Sequence, residues 1–254
     1  MLHRKLVDSI RDHLGQPEIS LIVGPRQAGK TTIMTTLKDE LDRQGHKTLF
    51  LNLDSEQDRQ FFASQAALIR HIDLHLNHEG YVFIDEIQRK EDAGLFLKGI
   101  YDLKLGYKFI VSGSGSLELK EKIHESMMGR KQVFELNPLS LSEFGEFRLG
   151  PSFIEDKIQT PLILEEYCNW GGYPKIVLAN TASEKTRFLD EIFQSYLEKD
   201  IVYLLGIRKD RTFSNLVKLL ASQIGKMTNM SELANTLGTD VRTIDRYLWY
   251  LEKT

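Results

Sequence analysis

At 254 residues, with 41% hydrophobic and 27% charged residues, the chain has the size and composition of a globular protein with one large domain or two to three small ones. Its net charge of −3 carries no overall signal for nucleic acid or an anionic membrane, and its single cysteine, Cys168, excludes an internal disulfide. No apolar run approaches the length of a membrane span, and no signal-type apolar core follows the N-terminus, so we expect a cytoplasmic protein without membrane segments.

The first predicted element is an amphipathic helix over 2–14. Its apolar residues recur every four positions and therefore share one face: Leu2, Leu6, Ile10 and Leu14. We expect this face to pack against the domain that follows. An apolar, partly β-branched run over 19–23 then predicts a buried strand.

The stretch from Gly24 to Thr31 matches the phosphate-binding loop pattern G-x-x-x-x-G-K-[ST] at every fixed position. A strand precedes it, and the residues up to about Arg43 have the apolar spacing of a helix, which is the context that the pattern requires. Thr32 can either contact the ligand or only begin the helix, and the sequence favours neither role. The predicted nucleotide-binding residues are Gly24, Pro25, Arg26, Gln27, Ala28, Gly29, Lys30, Thr31 and Thr32.

The residue types in this loop suit a triphosphate. Glycines let the backbone wrap a phosphate so that successive N–H groups point inward, and the helix that follows turns its positive end toward the same group. Lys30 is predicted to reach the β- and γ-phosphates, and the Thr31 hydroxyl to ligate Mg²⁺. The predicted ligands are therefore ATP or ADP and Mg²⁺.

A second strong signal is the acidic pair Asp85 and Glu86, which ends the apolar strand that begins after Gly80. A predicted strand over 47–53 and a predicted helix over 56–77 separate the pair from the phosphate loop. In a P-loop domain, an aspartate at this place binds the Mg²⁺ shell and the adjacent glutamate polarises the attacking water. We assign these roles to Asp85 and Glu86.

Past a predicted helix over 91–103, a strand over 107–111 runs into a Gly/Ser segment. A small polar residue at this strand end can hold the attacking water; Ser112 is the first candidate and Ser114 the second. The alternative is a plain Gly/Ser turn that caps a helix over 116–127.

Arg130 precedes the fifth predicted strand, over 131–136. An arginine at the domain edge of a ring-shaped oligomer can serve as an arginine finger, which supplies positive charge to the nucleotide of a neighbouring subunit. The alternatives are a contact in cis and an ordinary surface arginine. The arginine-finger interpretation of Arg130 implies a homo-oligomer.

After this strand the βα alternation stops. Ser140 and Glu143 have the spacing of a capping box, and Gly150-Pro151 is a candidate boundary. Predicted helices follow over 162–170 and 183–205, separated by the turn Gly171-Gly172-Tyr173-Pro174, which we interpret as a hinge under a helical lid. The predicted domains are a nucleotide-binding domain over 1–150, a lid over 151–210 and a helix-turn-helix segment over 211–254.

The last segment predicts helices over 212–226, 231–237 and 241–251, and its final pair has the turn of a helix-turn-helix. Arg242 and Arg246 share a face that suits DNA phosphates or base edges. Asp240 and Asp245 nearly cancel their charge, which leaves a module for interdomain contact or self-association as the alternative.

Five motifs, taken in order, resemble a family of prokaryotic AAA+-like ATPases: GPRQAGKTT, YVFIDEIQR, the strand end VSGSGS, GRKQVFELNPLSLSEF and GGYP. The resemblance implies an α/β P-loop domain with a parallel five-stranded sheet in the order 5-1-4-3-2 and ATP at the strand ends. It also implies a helical lid, a winged helix and, in most members, a nuclease-like C-terminal domain. The sequence departs from that pattern because it ends soon after Leu251, before a wing or a further domain, so we expect it to be part of a longer protein.

The leading functional hypothesis is a Mg²⁺-dependent ATPase of AAA+ type that couples nucleotide state to movement of the lid and the winged helix. Two alternatives stay open: a nucleotide-dependent switch that does not hydrolyse ATP, and a DNA-binding regulator with nucleotide as its cofactor.

Overall fold

The computed structural model describes residues 2–114, 126–151, 153, 158–196 and 211–253. Contacts divide the chain into two compact units, Met1–Lys185 and Thr186–Thr254, called here the first and the second unit. Most of the helix predicted over 116–127 and the end of the helix predicted over 183–205 lie outside the described residues, as does the side chain of Ser114.

The first unit is built on a parallel sheet. Its strands are β1 (Ile19–Gly24), β2 (Thr48–Asn52), β3 (Gly80–Asp85), β4 (Tyr107–Ser114) and β5 (Lys131–Glu135). The spatial order is β2-β3-β4-β1-β5, and every neighbouring pair is parallel. This confirms the predicted α/β fold and its strand order 5-1-4-3-2.

The helices run through both units. They are α1 (Lys5–His13), α2 (Lys30–Arg43), α3 (Glu56–Arg59), α4 (Gln65–Leu76), α5 (Ala93–Asp102), α6 (Leu141–Leu149), α7 (Gln159–Trp170), α8 (Pro174–Val177), α9 (Ala182–Ser195), α10 (Arg211–Ser222), α11 (Met230–Leu237) and α12 (Val241–Lys253). Two 3₁₀ turns, Gln60–Ala63 and Ile87–Arg89, complete the described helical segments. Among these helices, none combines the length and the apolar character needed to cross a membrane.

Helices cover both faces of the sheet because successive strand residues point to opposite sides. Leu21 and Val23 join a core with α4 and α5, whereas Ile22, between them, joins a core with α1 and α2. The predicted packing of the N-terminal helix is therefore correct: Ile10 is buried against the sheet domain.

The helix predicted over 56–77 is wrong as one continuous element. It is divided into α3, a 3₁₀ turn and α4, because the Ser64 backbone is extended and its side chain accepts a hydrogen bond from the N–H of Ala67. An N-cap serine of this kind starts a new helix. The capping box of α6 is confirmed: Ser140 accepts from the Glu143 N–H, and Glu143 accepts from the Ser140 N–H.

The second unit has its own apolar core within the described residues. Phe213 and Leu216 of α10, Leu233 of α11, and Ile244 and Tyr247 of α12 are buried together. Gly238, in the left-handed conformation, ends α11 before the turn into α12. The helices of the predicted helix-turn-helix are thus present.

Candidate active site

The phosphate loop begins where β1 ends. Val23 accepts a hydrogen bond from the Leu136 N–H at 2.7 Å, which holds the strand end beside the segment that leaves β5. A Cβ atom on Gly24 would overlap the carbonyl group of Leu136, so only glycine allows this close approach of two backbones. The first glycine of the motif is therefore needed for packing as well as for loop shape.

The loop then turns through two left-handed residues, Gln27 with φ 63° and Gly29 with φ 100°. Gly29 occupies the N-cap position of α2 and has no side chain to satisfy the first N–H groups of that helix. The N-terminus of a helix, where N–H groups point outward at the positive end of the dipole, is suited to bind an anion.

Lys30, at the start of α2, is buried, with 6% of its surface exposed. Its Nζ donates hydrogen bonds to the carbonyl oxygens of Gly24 at 2.8 Å and Pro25 at 3.0 Å. The ammonium group thus lies over the loop, where it is close to any phosphate that the loop binds.

The two motifs predicted to hold Mg²⁺ meet directly. The Thr31 hydroxyl donates to Asp85 Oδ2 at 2.6 Å, although the residues are 54 positions apart in sequence. Asp85 lies at the carboxyl end of β3 with 1% of its surface exposed. A hydroxyl and a carboxylate are hard oxygen donors, and Mg²⁺ in phosphate sites takes only one or two protein ligands, so this pair fits Mg²⁺. No cluster of three or more His, Cys, Asp or Glu side chains suited to a metal ion occurs among the described residues.

Ser112 links the acidic pair to the neighbouring strand β4. Its buried hydroxyl donates to Asp85 Oδ1, and its oxygen accepts from the Glu86 N–H at 3.3 Å. The Glu86 N–H also donates to Asp85 Oδ1 at 3.1 Å. The structure therefore places Ser112 at the acidic pair, and its predicted role of holding water stays a prediction.

Glu86 has a left-handed backbone, with φ 59° and ψ 43°, an uncommon conformation for glutamate. The Gln88 side-chain amide donates to Glu86 Oε2, which fixes the carboxylate at the turn after β3. Sequence reasoning missed Gln88; its position two residues after the acidic pair is the only signal for it in the sequence.

Arg130 lies at the opposite edge of the sheet from the phosphate loop. Its carbonyl accepts from the N–H of Ile19, at the start of β1, whereas the loop follows the other end of that strand, about 17 Å away at ~3.3 Å per residue. The Arg130 guanidinium instead donates to Asp102 at 2.7 Å. The structure therefore does not bring Arg130 to the phosphate loop of its own chain, and its role as an arginine finger stays a prediction.

The remaining predicted loop residues surround the same turn. Pro25 and Arg26 are half-buried, Gln27 is exposed and Ala28 is fully buried. Thr32 lies in the first turn of α2 with an exposed side chain, and its carbonyl accepts from the Thr36 hydroxyl at 2.8 Å.

Two residues outside the motif contact the loop, and the sequence predicted neither contact. The Arg4 guanidinium donates to the Ala28 carbonyl at 3.1 Å. Pro174, of the GGYP turn, has its Cγ 3.8 Å from the place where a Cβ on Gly29 would lie, so this turn packs against the loop. The Gly172 carbonyl in turn accepts from the Leu139 N–H at 2.7 Å.

The chain is similar to proteins from other organisms. An uncharacterized protein of Haemophilus influenzae is 28% identical over 251 residues, which cover 92% of this chain and 60% of that protein. An uncharacterized protein of Methanocaldococcus jannaschii is 25% identical over 225 residues, which cover 87% of this chain and 50% of that protein. The chain thus spans little more than half the length of these relatives.

The fold is also found in a solved structure, a Walker-type ATPase of Pyrococcus abyssi, with a TM-score of 0.62 at 13% identity and coverage of 100% of this chain and 89% of that one. A model described as "Domain of unknown function (DUF8612)" matches residues 162–254. A model described as "AAA domain" matches residues 16–145, more than half of the chain, and the chain therefore belongs to the AAA domain family.

Proposed function

We propose that the protein binds ATP with Mg²⁺ and hydrolyses it to ADP and phosphate. The observation that carries the proposal is the 2.6 Å contact between Thr31 and Asp85 beside the buried Lys30. The two motifs are far apart in sequence, yet they bring a hydroxyl, a carboxylate and an ammonium group to one loop, which is the set that phosphoryl transfer from a nucleoside triphosphate requires.

In the proposed reaction, water attacks the γ-phosphorus of ATP in line with the bond to the β–γ bridging oxygen, which leaves on ADP. The loop N–H groups and Lys30 neutralise negative charge on the phosphates. Glu86 orients the attacking water and accepts its proton as the new P–O bond forms, and this proton then passes to the phosphate product or to bulk water. Ser112 holds Glu86 and Asp85 in place. Mg²⁺ held by Thr31 and Asp85 would supply positive charge to the β- and γ-phosphate oxygens.

Steady-state phosphate release tests this proposal. Glu86→Gln removes the group that orients water but leaves the phosphate loop unchanged. We expect it to lower the rate by at least about 100-fold while ATP still binds, since a positioned general base contributes roughly 10²–10⁴. Phosphate release that is equal in the wild type and the variant would contradict the assignment of Glu86.

The rival function is a switch that binds nucleotide without turnover. It predicts ATP binding by the wild type but no phosphate release above background.

The proposal includes coupling of nucleotide state to the segments over 151–210 and 211–254, the predicted lid and winged helix. The packing of Pro174 against Gly29 supports it, because the turn that precedes α8 contacts the phosphate loop. No contact of this kind among the described residues supports DNA binding. Arg242 and Arg246 are exposed on α12, but Asp245, between them in sequence, is also exposed and offsets part of their positive charge.

A further inference from the structure

Arg4 precedes α1 and is 93% buried, with 7% of its surface exposed. Its guanidinium donates to three acceptors from three segments: the Ala28 carbonyl at 3.1 Å, the Asn137 carbonyl at 2.5 Å and the Glu143 carboxylate at 3.2 Å. The planar, five-donor fork of arginine can serve three acceptors in different directions at once. The phosphate loop is therefore tied by one side chain to the exit of β5 and to the start of α6.

The hydrogen bond from Arg4 to the Ala28 carbonyl fixes the orientation of the Ala28–Gly29 peptide group. The peptide bonds of the described residues are trans. The C=O of Ala28 and the N–H of Gly29 belong to one such peptide group, so they lie in one plane and point in opposite directions. Because Arg4 holds the carbonyl, the Gly29 N–H is directed away from Arg4. Gly29, without a Cβ and at φ 100°, has a peptide that would otherwise rotate at little cost.

Glu143 is the third acceptor of the Arg4 guanidinium. Its carboxylate also accepts from the N–H groups of Lys5 at 3.0 Å and Ser140 at 3.0 Å, and it is 8% exposed. Burial alone would raise the pKa of Glu143, but these hydrogen bonds and the charge of Arg4 outweigh burial and lower it. Glu143 is therefore an anion at neutral pH, and it pairs with Arg4 on the side of α6.

We propose that Arg4 is a positioning residue for nucleotide binding: it holds the Ala28–Gly29 peptide so that the Gly29 N–H faces the phosphates. The inference rests on the proposed function, since it names the device that keeps the phosphate loop in its binding conformation before ATP arrives. The energetic basis is preorganisation, because a loop that is already ordered loses less entropy on binding.

A purely structural role makes a different prediction. If Arg4 only stabilises the contact of α1 with α6 through its ion pair, then breaking that pair from either side has the same effect on ATP affinity. Glu143→Gln is the matched control, because it removes the charge that pairs with Arg4 but leaves the Ala28 and Asn137 carbonyls available to the guanidinium. The double variant Arg4→Met/Glu143→Gln avoids leaving a buried carboxylate unpaired, which is the main threat to folding in Arg4→Met alone.

The experiment measures the Kd of Mg²⁺-ATP for the wild type and for these variants, at a temperature where circular dichroism shows each to be folded. We expect the Kd to rise about tenfold in Arg4→Met and in the double variant, in line with the loss of one charge-assisted hydrogen bond, and to change less than about threefold in Glu143→Gln. Equal Kd values for the wild type and the double variant, or an equal loss in Glu143→Gln, would overturn the proposal.

A second readout does not need ATP. Amide hydrogen exchange of the peptide that spans residues 24–31 is expected to be faster in Arg4→Met and in the double variant than in the wild type and in Glu143→Gln. Unchanged exchange would overturn the role of Arg4 in ordering the loop. Failure of the wild type to bind ATP would refute the proposed function separately, and the exchange measurement would still decide whether Arg4 holds the loop.

Discussion

Among individual residues, Asp85 is the centre of the site. Thr31 and Ser112 donate to its two carboxylate oxygens, and the backbone of Glu86 donates to one of them. The motif predicted that Asp85 would lie beside the phosphate loop, because parallel strands bring their carboxyl ends to one edge of the sheet. Nothing in the sequence predicted Arg4, since a lone arginine near the N-terminus gives no pattern and its three acceptors lie on distant segments.

Ser112→Ala tests the link between Asp85 and Glu86. Loss of the hydroxyl removes a hydrogen bond to Asp85 Oδ1 and an acceptor of the Glu86 N–H. The Glu86 carboxylate, which we propose orients the attacking water, is then held less firmly in position. We expect kcat for ATP hydrolysis to fall about tenfold with little change in KM, which is the signature of an interaction that matters in the transition state. Ser142→Ala, at a serine of α6 that bonds Glu146, is the control and should leave kcat unchanged.

At the scale of elements, β4 carries two different polar groups at its two ends. Ser112, near the carboxyl end, donates to Asp85 in the candidate site. Lys108, near the amino end, is buried and donates to the carbonyls of Gln16 at 2.9 Å and Glu18 at 2.5 Å. Its Nζ also lies 3.2 Å from Nδ1 of His13. The apolar pattern predicted the strand, but it gave no signal that the lysine would be buried.

The pH dependence of stability tests the burial of Lys108. Burial lowers the pKa of Lys108 to about 8 from 10.5, although the Glu18 carboxylate acts in the other direction. Between these two values the unfolded chain keeps a proton that the folded chain has lost, so the stability of the wild type relative to Lys108→Met should rise with pH. The slope is at most about 1.4 kcal/mol per pH unit. Chemical denaturation of both proteins from pH 7 to 10 measures it, and a difference that is constant with pH would show that the lysine is not desolvated.

The helices were predictable where their apolar spacing is regular and unbroken, as in α2 and α12. The interruption between α3 and α4 could not be predicted in this way, because the same apolar spacing continues across the N-cap residue Ser64. The position of Arg130 was predicted only along the chain, as preceding β5. The start of that parallel strand lies at the end of the sheet away from the phosphate loop.

In the whole molecule, the two units have separate apolar cores. Coupling between them is the part of the proposed function that distinguishes a AAA-type machine from a simple ATP-binding domain. It requires that nucleotide bound in the first unit changes the conformational equilibrium of the second.

Amide hydrogen exchange in residues 211–253 tests this coupling. We expect Mg²⁺-ATP to change the exchange of α10–α12 in the wild type and to have no effect in Lys30→Ala, which lacks the ammonium group over the phosphate loop. An unchanged exchange pattern in the wild type at saturating ATP would show that the units act independently.

In the proposed function, Thr31 and Asp85 together form the Mg²⁺ site of an ATP-binding loop. The most direct test is the Kd of ATP measured with and without Mg²⁺ in the wild type and in Asp85→Asn, which keeps the shape of the side chain but removes its charge. We expect Mg²⁺ to tighten ATP binding by the wild type about tenfold or more, equivalent to ~1.4 kcal/mol, and to have little effect in the variant. The same Mg²⁺ effect in both proteins would show that Asp85 does not hold the ion.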